Sequence, residues 1–359
     1  MYIKLLSGLS LLVIENNYKI LNNLLSIEYM PIYLFLNFIL LNFNTRHLQG
    51  TSYRNNKMPN NLILLSSKLN FILFLYSNLF IFIQNFYINN LFLLYLPTYL
   101  EFAEFTGNRK LSLENIFFKP FCYFFKLIGN YEIFNEYKII NNHKQYLIGL
   151  HPHGLFPFGT LGSLGLPICK NLFELFPLRY TNELYIGIAS FCFYIPIIRD
   201  FFLFMGAIDC SKPIIEKFIK NGKSIGLFIG GAEEAKYSDI GNTNLIINKR
   251  KGFFKLALEN NLTLVPIYTF GNNNIYKSYD SDIFNIFYYF KRITGLWFPR
   301  GKIIFNRINF YTVLGNHIDI NEKNNIEELK ILYIEKLTEI FNKYKDKDNS
   351  VKNKNLIIN

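Results

Sequence analysis

The stretch YLIGLHPHG, residues 146–154, is the most informative part of the chain. Its first five residues are mostly apolar and indicate a short buried strand. Two histidines follow directly, with Pro152 between them and a glycine after them. Strand ends are where α/β folds present catalytic side chains, so His151 and His153 are predicted to lie at a functional site.

Three later apolar runs have the same character: LYIGIA (184–189), SIGLFIG (224–230) and LTLVPIY (262–268). Helical patterns lie between and after them: from about Ser211 and Pro213 to Gly222, from Gly252 to Asn260, and over 325–345. Strands that alternate with helices predict an α/β fold with a largely parallel sheet flanked by helices on both faces.

An apolar segment precedes this pattern. Residues 69–100 contain two apolar runs with a polar interruption at 84–90, and each run is shorter than the roughly 20 residues of a straight bilayer span. Basic residues flank the segment, including Lys68 and Arg109, which predicts a membrane hairpin with both ends on the cytosolic side. The alternative is a pair of buried core helices in a soluble protein.

The histidine pair has a chemical interpretation. Imidazole titrates near neutrality and can take a proton from an alcohol. The ordinary alternative, that a histidine only packs and hydrogen-bonds, is expected to hold for one of the two. No third metal ligand lies nearby, and the four cysteines form no CxxC pair, so we predict neither a metal site nor a disulfide framework.

A second segment, FIGGAEEA, also leaves a predicted strand. The N–H groups of Gly230 and Gly231 can face a bound oxygen atom. Glu234 is a candidate for orienting a catalytic histidine. The alternative is a solvated helix start, where acidic side chains such as Glu233 favour the helix dipole.

A third segment begins with the basic cluster Lys249, Arg250 and Lys251 ahead of a predicted helix. Cations at a helix N-terminus suit a phosphate-bearing ligand, and a solvated basic loop is the alternative. The formal charge of +12 favours anionic partners such as acidic headgroups or a phosphate-bearing cofactor. Because the basic residues are scattered in a chain rich in Phe, Ile and Leu, we predict no nucleic-acid binding.

The three motifs, in this order, resemble the second diacylglycerol acyltransferase family, which also holds monoacylglycerol and wax-alcohol acyltransferases. HPHG at 151–154 matches the family signature, Glu234 falls on the family's glutamate, and 250–276 matches its RKGF…LVPIY.FG pattern. The resemblance covers roughly 66–345 and implies a glycerolipid-acyltransferase-like fold. After LVPIY.FG the family usually has two acidic residues, where this chain has Asn272 and Asn274.

The resemblance implies acyl-CoA as co-substrate, diacylglycerol or monoacylglycerol as acceptor, and no cofactor. It makes His153 the expected general base, His151 the second choice, and Glu234 the residue that bonds the other ring nitrogen. Backbone groups at Gly154, Gly230 and Gly231 are expected to bind the oxyanion. Lys249, Arg250 and Lys251 are expected to bind acyl-CoA, and Asn273 and Tyr276 to line the substrate pocket.

The expected domains are an N-terminal region of unclear role (1–60), a membrane-embedded helical hairpin (61–105), a cytosol-facing acyltransferase domain (106–345) and a disordered tail (346–359). The expected location is the endoplasmic reticulum membrane, with lipid droplets as a second site. Membrane lipid is an expected partner, and a homo-oligomer is compatible with the sequence.

Three other functions are alternatives for this sequence: monoacylglycerol acyl transfer, a catalytically silent membrane-associated lipid-binding or transfer protein, and acylation of lysophospholipids. The last class has an acid five residues after its histidine, where this chain has Phe156 and Phe158. The chain also has no Gly-x-Ser-x-Gly nucleophile elbow, which argues against an α/β-hydrolase.

Overall fold

A computed structural model describes residues 97–136, 144–169, 172–175, 178, 183–195, 197–278, 301–303, 307–321 and 325–359. Apart from Pro97, these belong to one compact unit formed by Thr98–Lys291 and Leu296–Asn359. The predicted N-terminal region and the predicted hairpin up to residue 96 lie outside the described residues. None of the described helices combines the length and the apolar composition that crossing a bilayer requires.

The described strands are β1 (Gly129–Asn135), β2 (Tyr146–His151), β3 (Leu184–Ile188), β4 (Ala207–Asp209), β5 (Ser224–Phe228), β6 (Asn244–Leu245), β7 (Thr263–Phe270), β8 (Tyr276–Ser278), β9 (Gly301–Ile303), β10 (Ile308–Leu314) and β11 (Ile357–Ile358). Seven of them form one sheet in the order β1-β10-β7-β2-β5-β3-β4. β7, β2, β5, β3 and β4 run parallel, whereas β10 and β1 run the opposite way. The predicted largely parallel sheet is confirmed.

The described α-helices are α1 (Pro97–Leu100), α2 (Ala103–Thr106), α3 (Phe118–Ile128), α4 (Phe158–Thr160), α5 (Leu172–Leu175), α6 (Ile198–Phe204), α7 (Lys212–Lys220), α8 (Gly231–Glu234), α9 (Lys251–Glu259) and α10 (Ile326–Tyr344). The three helices predicted from sequence are confirmed as α7, α9 and α10.

The sheet has an apolar cluster on each face. Along β2, Tyr146, Ile148 and Leu150 pack into one cluster, whereas Leu147 packs into the other. This alternation follows from the two-residue period of a strand, and it buries every residue of β2. The central position of β2 therefore holds its carboxyl end, and the histidines that follow, in a fixed place.

Helix α10 shows how the second cluster is closed. Asn325 and Glu328 form a capping box at its start. Leu329, Tyr333 and Leu337, spaced by four residues, are fully buried. Burial of each leucine stabilises the fold by roughly 1.5–3 kcal/mol. The helix thereby brings the Tyr333 side chain to the sheet beside β2.

The structure moves one predicted boundary. Residues 98–105, assigned to the hairpin from sequence, belong to the compact unit. Ala103 is fully buried, and the buried Glu104 carboxylate accepts a hydrogen bond of 3.1 Å from the buried Arg199 guanidinium. This buried ion pair ties α2 to α6, because leaving either charge alone inside the fold would be costly.

The predicted disordered tail, 346–359, is wrong. Val351 is buried, and β11 pairs in parallel with β6. The buried Asp348 carboxylate accepts the Gly271 N–H at 3.1 Å. A composition of Lys, Asn and Asp is typical of disorder, but here the polar groups find partners in distant loops, and Val351 joins the second apolar cluster.

Candidate active site

Three neighbouring parallel strands bring the three motifs together. β2 pairs with β7 on one side and with β5 on the other. Their carboxyl ends therefore meet at one edge of the sheet, where ligands bind in open α/β folds. HPHG begins at the last residue of β2, the two glycines and Glu234 follow β5, and the asparagine loop follows β7. The expected assembly of these segments is thus observed.

His151 is the last residue of β2 and has no exposed surface. Its Nε2 lies 3.0 Å from the Tyr333 hydroxyl, and its buried Nδ1 has no hydrogen-bond partner within the described residues. Burial lowers the pKa of His151 to about 3, so the ring is neutral at physiological pH. This histidine joins the end of β2 to α10 and presents no surface to a substrate.

His153 lies in the turn after β2 and is only partly buried. Its Nδ1 is 2.7 Å from the Gly154 carbonyl oxygen, which can only accept, so Nδ1 carries the proton and donates it. Nε2 is therefore the basic nitrogen of the neutral ring, and no described residue hydrogen-bonds to it. Burial lowers the pKa of His153, and the bond to Gly154 partly offsets this.

The turn after β2 needs a left-handed backbone conformation at position 154, which glycine adopts easily. Gly154 has φ of 60°, a left-handed conformation that side chains disfavour. A Cβ at Gly154 would make only an ordinary contact, 3.5 Å, with the Asn273 Oδ1 atom, so the backbone conformation is what favours glycine. Glycine here lets the backbone place its carbonyl against the His153 ring while the loop after β7 stays close.

Glu234 differs from its expected role. Its Oε1 accepts the His153 backbone N–H at 2.6 Å, and its Oε2 accepts the Ile246 N–H at 2.9 Å. Among the described residues, neither ring nitrogen of His153 contacts this carboxylate. Glu234 therefore holds the backbone of the turn, and the Gly154 carbonyl takes the ring-orienting role that the sequence assigns to Glu234.

The environment of Glu234 is almost closed to water. Burial raises its pKa to about 7, while the two N–H donors and the charge of Arg250 act in the opposite direction. A Cβ at Gly230 would lie 2.0 Å from Glu234 Oε2, so a side chain there would displace the carboxylate. The glycine pair thus makes room for Glu234, and Gly231 begins the short helix that carries it.

The basic cluster splits into two kinds of residue. Arg250 donates to the Gly230 carbonyl and to the Glu233 carboxylate, each at 2.9 Å, and so ties the second motif to the third. Lys251 pairs with Glu327 at 3.0 Å on the surface. Lys249 is exposed and has no ion-pair partner among the described residues. Lys249 is the cation of the three that remains available to a ligand.

The contacts of the loop after β7 show why an asparagine suits position 272, where the family usually has an acidic residue. The Asn272 side-chain N–H₂ donates to the Pro152 carbonyl and to the Thr160 hydroxyl, each at 3.1 Å. Its Oδ1 accepts the Gly159 N–H at 2.8 Å. An ionised aspartate has no N–H to give to the Pro152 carbonyl, so asparagine is suited to clamping the turn. Asn272 is a positioning residue that the sequence did not indicate.

The other loop positions diverge in role. Asn273 donates to the Asn242 carbonyl at 2.9 Å, and its buried Oδ1 has no partner within the described part of the chain. Asn274 donates to the Asp348 carboxylate at 3.1 Å. Tyr276 begins β8 and is buried. Asn273 therefore has a buried acceptor atom beside Gly154, without a partner among the described residues, whereas Asn274 holds the C-terminal segment.

The comparisons with known proteins agree with this assembly. The sequence profile of the family described as diacylglycerol acyltransferase matches residues 79–359. The chain belongs to this family. The match takes in every motif of the site and continues through the C-terminal segment that carries Asp348.

Three curated relatives illustrate the range of the family. Diacylglycerol O-acyltransferase 1 of Eremothecium gossypii is 31% identical over 56% of this chain and 48% of its own length. 2-Acylglycerol O-acyltransferase 1 of Mus musculus is 31% identical over 56% of this chain and 66% of its own. Diacylglycerol O-acyltransferase 2 of Dictyostelium discoideum is 32% identical over 60% of this chain and 71% of its own. The chain thus spans about half of the length of the first relative and just under two thirds of the length of the second.

Proposed function

We propose that this member of the diacylglycerol acyltransferase family is an acyl-CoA-dependent O-acyltransferase that esterifies the free hydroxyl of diacylglycerol to form triacylglycerol. One observation carries the proposal. His153 is held with its Nδ1–H on the Gly154 carbonyl, so its Nε2 is the basic nitrogen. A neutral imidazole fixed in this tautomer is prepared to take the proton of an alcohol.

The proposed reaction exchanges the carbon–sulfur bond of the thioester for a carbon–oxygen bond, and the hydroxyl proton passes to the thiol. The acceptor hydroxyl oxygen attacks the thioester carbonyl carbon as His153 Nε2 takes the hydroxyl proton. The tetrahedral intermediate then collapses, the carbon–sulfur bond breaks, and the imidazolium returns the proton to the departing CoA thiolate. The chemistry needs neither a covalent acyl-enzyme nor a cofactor.

The oxyanion of the intermediate needs donors that are already in place. The Gly154 N–H has no partner among the described residues, and it adjoins the imidazole. Gly230 and Gly231 sit at the start of α8 on the neighbouring strand end. We assign the oxyanion to backbone N–H groups of these glycines, and the unpartnered Asn273 Oδ1 to the acceptor side of the pocket, which Tyr276 helps to line.

The proposed site for the acyl-CoA donor rests on the basic residues at the start of α9. The proposed location rests on the apolar N-terminal sequence. We place the CoA phosphates near Lys249, Arg250 and Lys251 at the start of α9, with Lys249 as the freest cation. We assign the chain to the endoplasmic reticulum membrane, facing the cytosol, and to lipid droplets. The apolar sequence before Pro97, from residue 69, is the proposed anchor. A glycerolipid-acyltransferase-like fold is the proposed architecture.

The acceptor has a second candidate. The mouse relative is named for 2-acylglycerol, so monoacylglycerol is the alternative acceptor at the same site. Both acceptors present an alcohol to the same base, and the geometry around His153 does not depend on which is bound. Diacylglycerol is preferred because the family profile and two of the three relatives carry its name.

The test uses the full chain in membranes with labelled acyl-CoA and one acceptor at a time. We expect labelled triacylglycerol with diacylglycerol and none with a lysophospholipid. Product from monoacylglycerol alone would move the assignment within the family. No product with any acceptor, from a chain that still binds lipid, would leave the silent lipid-binding protein as the correct function.

A further inference from the structure

Exposed apolar side chains are concentrated on one part of the surface. Among the described residues, all the large ones except Ile240, Ile331 and Ile357 lie at 116–127, at Phe156 or at 191–198. Helix α3 and the turn before it carry five of them: Ile116, Phe117, Tyr123, Phe124 and Leu127. We call these five side chains and Phe156 the aromatic face. Monomeric soluble proteins rarely expose so contiguous an apolar patch without a function for it.

The aromatic face is continuous with the histidine turn. The Phe124 ring lies 6.2 Å from the Phe158 ring, which in turn stacks 5.6 Å from Phe156. Phe156 is three residues after His153. The patch therefore reaches the loop that directly follows the His153 turn.

The segment 191–198 joins the same surface through α6. Phe201 of this helix packs against Phe121 and Phe125 of α3, at 4.5 and 6.0 Å between ring centroids. Ile197 and Ile198, at the start of α6, are exposed. Helix α6, which packs against α3, thus also begins with exposed apolar side chains.

The charges on α3 all have one sign. The charged residues of the helix itself are Lys119 and Lys126, both exposed, and the exposed Glu114 lies before the turn that leads into it. Neither lysine forms an ion pair within the described part of the chain. Apolar rings with lysines at their border match a helix that lies in a membrane interface, where rings enter the acyl boundary and cations meet anionic headgroups.

We propose that the aromatic face lies in the interface of a lipid bilayer that contains anionic lipids, so that the mouth of the histidine site opens onto the membrane. The inference rests on the proposed function in one respect, since a water-insoluble acceptor would enter from there. The two lysines favour an anionic lipid surface over a second copy of this chain, because two copies meeting on this face would bring like charges together.

The test uses tryptophan as a depth probe in the full chain. Trp297 is the natural tryptophan, and Trp297→Phe gives the background. Tyr123→Trp reports on the aromatic face, at a side chain that is 69% exposed. Ile331→Trp is the matched control, because Ile331 is 55% exposed on α10, away from this face. Both variants are placed in vesicles of phosphatidylcholine and phosphatidylserine, and their acyl transfer is measured separately.

The outcomes differ in which quencher reaches the probe. We expect lipids brominated near the headgroup end to lower Tyr123→Trp emission about twofold, as for a ring roughly 5–10 Å deep, and iodide to have little effect. Iodide should quench Ile331→Trp instead. Iodide quenching of Tyr123→Trp would mean that the face meets water, and protection from both quenchers that protein covers it; either result overturns the proposal. Because quenching does not depend on turnover, failure of the proposed function is seen separately.

Discussion

Two histidines two residues apart occupy different environments, one at the end of a strand and one in the turn that follows. His151 is fully buried, bonded to Tyr333 through Nε2, and its pKa falls to about 3. His153 is partly buried, and its Nδ1–H is fixed by the Gly154 carbonyl. His151 at the strand end joins β2 to α10, whereas His153 in the turn presents a basic nitrogen.

The difference shows that reactivity here depends on what each ring nitrogen contacts, rather than on the residue type. A ring with no exposed surface cannot accept a proton from a substrate without a large rearrangement. A ring in the turn can do so at once, provided that the turn is held. Glu234 and Asn272 hold it from two neighbouring strand ends, through the His153 N–H and the Pro152 carbonyl.

The largest expected effect separates the two histidines directly. His153→Ala should lower kcat on the order of 100- to 10,000-fold, because it removes the proton acceptor. Its melting temperature should change little, since the ring is partly exposed. His151→Ala should mainly lower the melting temperature, because it empties a buried position. Rates and thermal unfolding of both full-length variants test this, and a His153→Ala chain with normal kcat would be incompatible with it.

The next largest effect concerns the support of the turn. Glu234→Gln replaces one acceptor oxygen by an N–H₂ group, which then faces the N–H of His153 or Ile246. We expect kcat to fall on the order of tenfold to a hundredfold, the cost of losing a charged hydrogen bond. Glu233→Gln is the matched control, because that carboxylate is partly exposed and should matter little.

The double variant reports how Glu234 acts. If Glu234 works by positioning His153, combining Glu234→Gln with His153→Ala should be little worse than His153→Ala alone. Losses that multiply would show that the carboxylate has a separate role.

The pH dependence is a smaller and independent effect. The Glu234 pKa is raised to about 7, so the carboxylate becomes protonated as the pH falls through neutrality. A protonated carboxyl is a weaker acceptor for the two N–H groups, and kcat should therefore fall below about pH 7. In Glu234→Gln this fall in kcat near neutral pH should disappear. The remaining fall should come from protonation of His153 and should lie at lower pH than for an ordinary histidine, because burial lowers the pKa of His153. If the pH dependence of kcat were unchanged in Glu234→Gln, protonation of Glu234 would not control the rate.

The smallest effect on catalysis is expected at the strand end. Tyr333→Phe leaves His151 Nε2 without its partner in a buried place, which should cost about 1–3 kcal/mol of stability. The turn is untouched, so kcat should stay near the normal value while the melting temperature falls. Tyr344→Phe is the comparison, because it removes a half-buried phenol that bonds Glu136 at the far end of the same helix, away from the strand end. A large loss of kcat in Tyr333→Phe would give His151 a part in the chemistry.

Much of the fold could be predicted from the sequence, because local pattern decides it. The apolar runs of β2, β3, β5 and β7 are long enough to recognise, and the turn chemistry after them marks their ends. The antiparallel β10 was missed, because its pairing with β7 is a long-range choice that no local signal carries.

The residues of the site were predicted better than their contacts. Glu234 was placed at the site from its motif, but a sequence does not say whether a carboxylate reaches a ring nitrogen or a backbone N–H. Tyr333 was recognised only as part of an apolar helix face, because its partner His151 lies 182 residues away. The Asp348 contacts were missed for a related reason: polar groups can order a segment that composition alone assigns to disorder.

The most direct measurement is chemical rescue of the missing imidazole. Free imidazole, titrated into His153→Ala in membranes with labelled acyl-CoA and diacylglycerol, should restore part of the rate, because it can refill the place of a partly exposed ring. The same titration should leave His151→Ala unchanged, since that position is closed. Restoration in His151→Ala and not in His153→Ala would contradict the assignment of His153 as the base.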